Sequence, residues 1–263
     1  MNFRSLTRRF IHPPLPLLLL LLAGAALALG ARCIERTSTY VDSDGYTHIT
    51  GQMVNDTDTQ GIQMMLQGML FDATGNVVAT KTGPTCPPDS QPHQQTVFDI
   101  RFDNPNLPPW DHFSVQPVSG KAQSDPLTDP KVVLFFAEAI RFTAPIHYPG
   151  VDISPNDVFF RFQVRNQTNN SYAGVQGCSA VYDQMGKVVF VDQREITEQT
   201  GPNSIGPVTV LPQELASVFM VAKNVPKGPV QVRAWLWFGP KGAPTSQYQF
   251  VSTQMMTIQS VAP

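Results

Sequence analysis

The sequence predicts an all-β protein: two tandem β-sandwich domains behind an N-terminal apolar signal or anchor helix. Three observations carry this. Of the 263 residues, 42 are proline or glycine, and only 14% are charged against 42% apolar, a composition unsuited to long helices, coiled coils or disordered acidic chains. A set of residues recurs in fixed register 111 positions further on. Within each copy, short apolar or alternating runs are bounded by turn residues, the pattern of strands rather than helices.

The first element is the leader. Arg4, Arg8 and Arg9 precede an apolar run over residues 15–31, with no acidic residue before Glu35. A basic stretch, an apolar stretch and then the small residues Ala28, Gly30 and Ala31 are the layout of a secretory signal, with cleavage expected after Gly30 or Ala31. A run of about 17 residues is also just long enough to cross a bilayer core, so an uncleaved anchor is the second reading. Either way the remainder is exported to an extracellular, periplasmic or cell-surface position and meets the membrane only through this segment. Thr7-Arg8-Arg9 is a weak match to a twin-arginine signal. Cys33 sits where a lipid-modified cysteine would, but Arg32 occupies the position that needs a small residue. Loss of the three leader arginines takes the net charge from −2 to −5, and an acidic product offers no field for gathering nucleic acid.

The repeat comes next. Asn55, Thr57, Asp72, Gly75, Val77 and Val78 recur as Asn166, Thr168, Asp183, Gly186, Val188 and Val189, and Gln52 recurs as Gln163. Further on, Val97-Phe98 is matched to Val218-Phe219 at an offset of 121, which implies about ten extra residues in the second copy, around Gly201-Pro202 and Pro212. Each copy reads as strand (47–54), polar turn (55–60), strand (62–71), turn (72–76) and strand (77–79). Asn55, Asp72, Gly75, Asn166, Asp183 and Gly186 are assigned structural turn roles: the carboxylates accept turn amides, the glycines supply positive φ, and each Asn opens a tight loop.

The run Gly-Met-Leu-Phe-Asp at 68–72, with Gly51 and Asn55 before it and Gly75-Asn76-Val77-Val78 after it, resembles the FxLYD family of small domains, and its second copy reads Ser-Ala-Val-Tyr-Asp at 179–183. The leading Phe of that pattern is Gly68 here and Ser179 in the second copy. The resemblance covers about 35 residues per copy and implies immunoglobulin-like β-sandwiches in an exported prokaryotic protein with no assigned activity.

Counting from both ends places the domain border near 140, giving a leader at 1–31, a first domain at 33–140 and a second at 141–263. On that division residues 131–136 close the first domain, as residues 248–256 close the second. The stretch 120–130 is read as a strand-connecting loop with a counterpart at 239–246, a linker being the other reading.

Candidate sites are few. The histidines His48, His93, His112 and His147 share no motif spacing, and there is no Gly-x-Ser-x-Gly elbow, so no catalytic group is assigned and the chain is read as not an enzyme. Asp42-Ser43-Asp44-Gly45 has the opening of a calcium loop but lacks the later bidentate Glu, and a hairpin turn accounts for it. Cys86 and His93 lack a partner pair for zinc. No cofactor or metal is expected. Cys33 and Cys86 are the candidate disulfide of an oxidising compartment, with Cys178 read as a small buried side chain. Three sequons begin at Asn55, Asn166 and Asn169. Trp235 and Trp237 lie on one side of a strand at 234–238, either as a stacking face for sugar rings or as cover for a core. The function expected is that of a non-catalytic envelope or surface module, binding or structural. Its partner would be another envelope protein or a surface glycan. The alternatives are a carbohydrate- or small-ligand-binding accessory protein and an enzyme of unrecognised type, for which a pocket holding His48, His93 or His112 beside a carboxylate would speak.

Overall fold

The computed structural model describes residues 32–123, 131–201, 204–228, 231–239 and 249–263, and these are all strand, turn and loop. The leader, with its signal or anchor reading, lies outside the described residues; among them no helix is long and apolar enough to cross a membrane.

Six strands build the first unit: β1 (Arg32–Val41), β2 (Thr47–Asn55), β3 (Gln60–Phe71), β4 (Val77–Cys86), β5 (Gln95–Arg101) and β6 (His112–Gln123). They pair in the order β1-β2-β5-β4-β3-β6. β4 runs beside β3 up to Pro84 and then meets β5 at Thr85 and Cys86, so one strand turns the corner between the layers β1-β2-β5 and β3-β6. Ile49, Met53, Leu66, Leu70, Phe98 and Ile100 fill the space between. Along β2 the alternation is regular, with Ile49 and Met53 in this core and His48, Thr50 and Gln52 on the opposite face. That polar face is buried as well, and the second unit is what covers it.

The second unit begins with β7 (Val132–Phe142), the hairpin β8 (Ile146–Tyr148) and β9 (Val151–Ile153), then β10 (Val158–Asn166), β11 (Tyr172–Ala173), β12 (Gln176–Tyr182) and β13 (Val188–Glu195). It continues through β14 (Thr197–Gly201), β15 (Ser204–Pro207), β16 (Thr209–Val210), β17 (Leu215–Ala222) and β18 (Gln231–Phe238), and ends with β19 (Gln249–Ser252), β20 (Met256–Thr257) and β21 (Gln259–Val261). One sheet has the order β15-β14-β17-β10-β7-β21 and the other β13-β12-β18-β19, with β20 also on β18. Phe160, Phe162, Val218, Leu236 and Phe238 lie in the core between them.

Residues 131–136, expected to close the first unit, instead lead into and form the start of β7. β7 pairs with β10 as β1 pairs with β2, so the change of unit falls between β6 and β7 rather than near 140. The physical reason is the inserted β8-β9 hairpin, which separates β7 from β10 where a tight turn separates β1 from β2. Gly120 belongs to β6, while residues 124–130 and 240–248, which hold most of the two proposed loops, lie outside the described residues.

The repeat is carried by hydrogen-bond register. β3 pairs with β4 as β12 pairs with β13, Leu70↔Ala79 matching Val181↔Phe190, with the irregularity at the same place. The later offset needs correction, however: β2 places Gly51 opposite Phe98 and β10 places Phe162 opposite Val218, so Phe98 corresponds to Val218 at an offset of 120. The expected match of Val97 with Val218 is one residue out of step, and a one-residue slip reverses the faces of a strand. Val97 belongs to the cluster that meets the second unit, whereas Val218 lies in its own sandwich core. At this shared core position one copy combines Gly51 with Phe98 and the other Phe162 with Val218.

Three turns are built alike. In each, Asp Oδ1 accepts two amides, from Asp44 and Tyr46 at Asp42, Thr74 and Asn76 at Asp72, and Met185 and Lys187 at Asp183, at 2.8–2.9 Å. Gly45, Gly75 and Gly186 follow at φ 87°, 86° and 75°, the left-handed residue of a three-residue hairpin loop. The bond from Thr74 and its companions holds the Asp72 carboxyl well below the ordinary range, down to about 2. Asp42-Ser43-Asp44-Gly45 is thus a hairpin turn.

Asn55 and Asn166 are buried cages. Asn55 Nδ2 is shared among the carbonyls of Thr59, Ser90 and Gln91 at 2.9–3.2 Å, and Asn166 Nδ2 among those of Asn170, Val210 and Leu211 at 2.7–3.4 Å. Thr57 and Thr168 each donate from Oγ1 to the Asn Oδ1 at 2.7 Å. One side chain thereby ties a β-turn to the loop that precedes β5 or β17.

Candidate functional site

The most elaborated region is the junction of the two units. The sheet β13-β12-β18 has two covered faces: Val181, Ala234, Leu236 and Phe238 face its own sandwich, while Cys178, Tyr182, Trp235 and Trp237 face the first unit and pack with Cys86 and Val97. Trp235 is 2% exposed and Trp237 4%. The sugar-stacking expectation for this pair is therefore overturned, because no ring can reach either indole. Trp235 Nε1 donates to Gln95 O at 2.9 Å, which gives the buried N–H its partner across the junction.

The expected disulfide is also corrected. Cys86 is bonded to Cys178, 92 residues away, and Cys33 is free and exposed. β4, on turning its corner, brings Cys86 to the end of the layer that meets the outer face of β12, while Cys33, on β1 opposite Val54, is separated from it by the two intervening strands β2 and β5. Polar bonds line the rest of the junction. Ser38 Oγ and Thr50 Oγ1 both donate to Val188 O, the latter at 2.7 Å, and the Tyr182 hydroxyl donates to Gln52 Oε1 at 3.2 Å. Burial pushes the Tyr182 hydroxyl up to about 12. Arg233 Nη1 donates to Gln95 Oε1 at 2.5 Å and Arg233 Nε to Thr253 O at 3.0 Å.

Beside this seam the units leave a cleft of about 1000 Å³, walled by Tyr40, Asp42 and His48 from the first unit and by Lys187, Asp192 and Lys223 from the second. His48 is 7% exposed. Its Nδ1 lies 2.8 Å from Asp99 Oδ1 and its Nε2 3.1 Å from Asp42 Oδ2, with the Tyr40 ring stacked on it at 4.5 Å. Both ring nitrogens thus face a carboxylate oxygen, an arrangement that favours the doubly protonated, charged ring. Burial opposes that charge, but Asp99 first and Asp42 second outweigh it and raise the His48 pKa. Burial, and after it Asp99, raises the Tyr40 hydroxyl. Asp192, across the cleft, is raised by burial although Arg194 Nε donates to it at 3.0 Å.

The remaining described histidines are exposed, each beside a carboxylate of its own: His93 with Asp58, His112 with Asp111 and His147 with Asp152, at 2.8–3.2 Å. Among the described residues no group of three or more His, Cys, Asp or Glu side chains is placed to hold a metal ion. A pocket histidine beside carboxylates therefore exists at His48, with both of its ring nitrogens hydrogen-bonded within the first unit.

No family model and no curated protein matches the chain. Among solved structures it is similar to the C-terminal domain of wzt, with a TM-score of 0.32 and 8% identity over 51% of this chain and 75% of that one. It is also similar to a calcium binding mutant of Bacteroides uniformis β-glucuronidase 2 (TM-score 0.27, 8% identity, 82% of this chain, 27% of that) and to red sea bream transglutaminase (0.25, 10%, 86% and 32%). The chain spans about a third or less of the length of those two enzymes. Likeness at this level carries no functional argument.

Proposed function

We propose that the chain is a non-catalytic exported protein of the cell envelope or surface, in which two tandem immunoglobulin-like sandwiches act as one rigid binding or spacing module. The observation that carries this is the buried, disulfide-linked junction, which turns two units into one body of fixed length and leaves loops and sheet edges facing outward for partners. A disulfide that closes 92 residues suits an oxidising compartment, which supports export. The layers β1-β2-β5 and β4-β3-β6, with successive strands crossing between them, support the immunoglobulin-like reading, and residues 68–72 and 179–183 support kinship with FxLYD domains. A second reading, a ligand-binding accessory protein, rests on the cleft, whose walls come from both units.

The test is fractionation of producing cells carrying a C-terminally tagged chain, followed by thiol labelling under denaturing, non-reducing conditions. The expected result is a tagged product outside the cytosol with one reactive thiol, at Cys33, and a linked Cys86–Cys178 peptide. Cytosolic product with three reactive thiols overturns the proposal. For the second reading, thermal shifts against a glycan and small-ligand set that vanish in Tyr40→Ala would place a ligand in the cleft.

A further inference from the structure

We propose that the chain pairs with a second copy of itself through the outer face of β4-β3-β6 in the first unit, sheet against sheet about a two-fold axis. Leu66 and Leu70 of β3 point into the core, so the alternate residues Met65, Gln67, Met69 and Phe71 stand on the other face. All four are half-exposed. Their register partners are Val77, two threonines and a proline on β4, and two serines, Gln116 and His112 on β6. The β4 partners are all exposed. None of these positions holds a carboxylate, an ammonium or a guanidinium; charge begins at the rim, where Asp111 lies beside His112. The polar and aromatic groups partly answer one another, Gln116 Nε2 donating to Gln67 Oε1 at 3.1 Å and the Phe71 and His112 rings stacking at 5.0 Å.

The duplication shows what such a face does in this architecture. The residues 111 positions on from Gln67, Met69 and Phe71 are Cys178, Ala180 and Tyr182, set in the same register between two neighbouring strands. That copy of the face is buried against another sheet, the layer β1-β2-β5 of the first unit. The first unit's own copy keeps the uncharged surface and turns it outward.

A second copy suits this face because uncharged groups lose least when dried against other uncharged groups, and the same face on another chain supplies them. The outer sheet of the second unit also meets water, but there Arg161 and Arg165 stand out from β10, the first beside Glu138 of β7. Docking that sheet here would strip guanidinium groups of water with no carboxylate opposite, which disfavours head-to-tail stacking of copies. The like-on-like contact is isologous and closes as a dimer. Three strands by four rows measure roughly 14 by 20 Å, so two faces bury on the order of 1000 Å² in total. That is below the standard interface size, and half-dissociation is expected on the order of 10–100 μM.

Sedimentation velocity on the purified chain across that range, with methyl NMR of its methionines, tests the proposal. Wild type should pass from one copy to two as concentration rises. The Met65 and Met69 methyl signals should shift with it, while those of Met185 and Met255, exposed in the second unit, stay fixed. Met69→Lys should weaken the dimer at least about tenfold with unchanged thermal unfolding, and Ser217→Lys, at an exposed position of β17, should leave it intact. A monomer throughout, an open-ended series of larger species, a dimer whose Met65 and Met69 signals do not move, or equal behaviour of the two variants overturns the proposal.

Discussion

Removing the inter-unit disulfide is the most direct probe of the junction. Cys86→Ala with Cys178→Ala avoids both a buried hydroxyl and exchange with the free Cys33. The bond closes a loop of 92 residues, for which the chain-entropy relation gives about 4.6 kcal/mol at 25 °C, while measured losses are usually about 2–4 kcal/mol. The double variant should therefore fold, because Trp235, Trp237 and Tyr182 still bury their faces against the first unit, but its urea midpoint should fall by about 1–2 M at an ordinary denaturant slope. Without the covalent tie the two units should also part company during unfolding. Indole fluorescence, which reports the junction, and far-ultraviolet dichroism, which reports all strands, should then cease to coincide. An unchanged midpoint, or a wild-type chain that titrates three thiols in denaturant, would refute the reasoning.

Four further outcomes are expected. A Cβ on Gly51 would lie 2.5 Å from Phe98 Cζ and 2.9 Å from Thr37 Cγ2, so Gly51→Ala should cost about 1–3 kcal/mol; Gly51→Ala with Phe98→Val should cost less than the sum of the two singles, and strict additivity in denaturant melts would count against the shared core position. Asn55→Ala and Asn166→Ala each leave three carbonyls short of a donor and should each lower stability by about 1–3 kcal/mol, read as a fall in melting temperature that an exposed Asn170→Ala does not show. His48 has its pKa raised in the fold, so its contribution is complete below about pH 6.5, the unperturbed value, and is lost as pH rises through the folded one. The melting advantage of wild type over His48→Gln should shrink between pH 5 and pH 9, and a constant gap would exclude the imidazolium. In a glycosylating host the secreted, folded product should carry a glycan at Asn169 alone, because the Asn55 and Asn166 amides are caged and fully buried while Asn169 is exposed; peptide mass mapping that finds either caged residue modified contradicts the assignment.

What the sequence made legible was local. Asp72 and Asp183 with their following glycines, and Asn55 and Asn166 with Thr57 and Thr168, act within a few residues of themselves, so their chemistry can be read from spacing alone. The calcium-like Asp42 turn yields to the same reasoning. Less legible was whatever depends on contact between distant residues. Nothing near Cys86 announces Cys178, and pairing with Cys33 looked natural only because both fell in the same unit. The misplaced border has a related cause: β7 resembles a closing strand until its partner β10 is known. One signal was available for the tryptophans. The run Ala-Trp-Leu-Trp-Phe at 234–238 is apolar on both sides, as strands covered on both faces are, and Thr50 and Gln52 on β2 gave no such hint because polar residues facing outward look solvated. His48 was visible only as one histidine among several; its carboxylate partners Asp42 and Asp99 stand 6 and 51 residues away.

The twice-covered sheet β13-β12-β18 also changes what the duplication means. Beads on a string can be cut, shuffled or lent to other proteins, since each bead is finished on its own surface. Here a released second half would show water two indoles, a phenol and an unpaired thiol, and a released first half would show Val97 together with a row of polar groups stripped of their partners. Neither half is finished on its own surface, so the two are complete only as one piece.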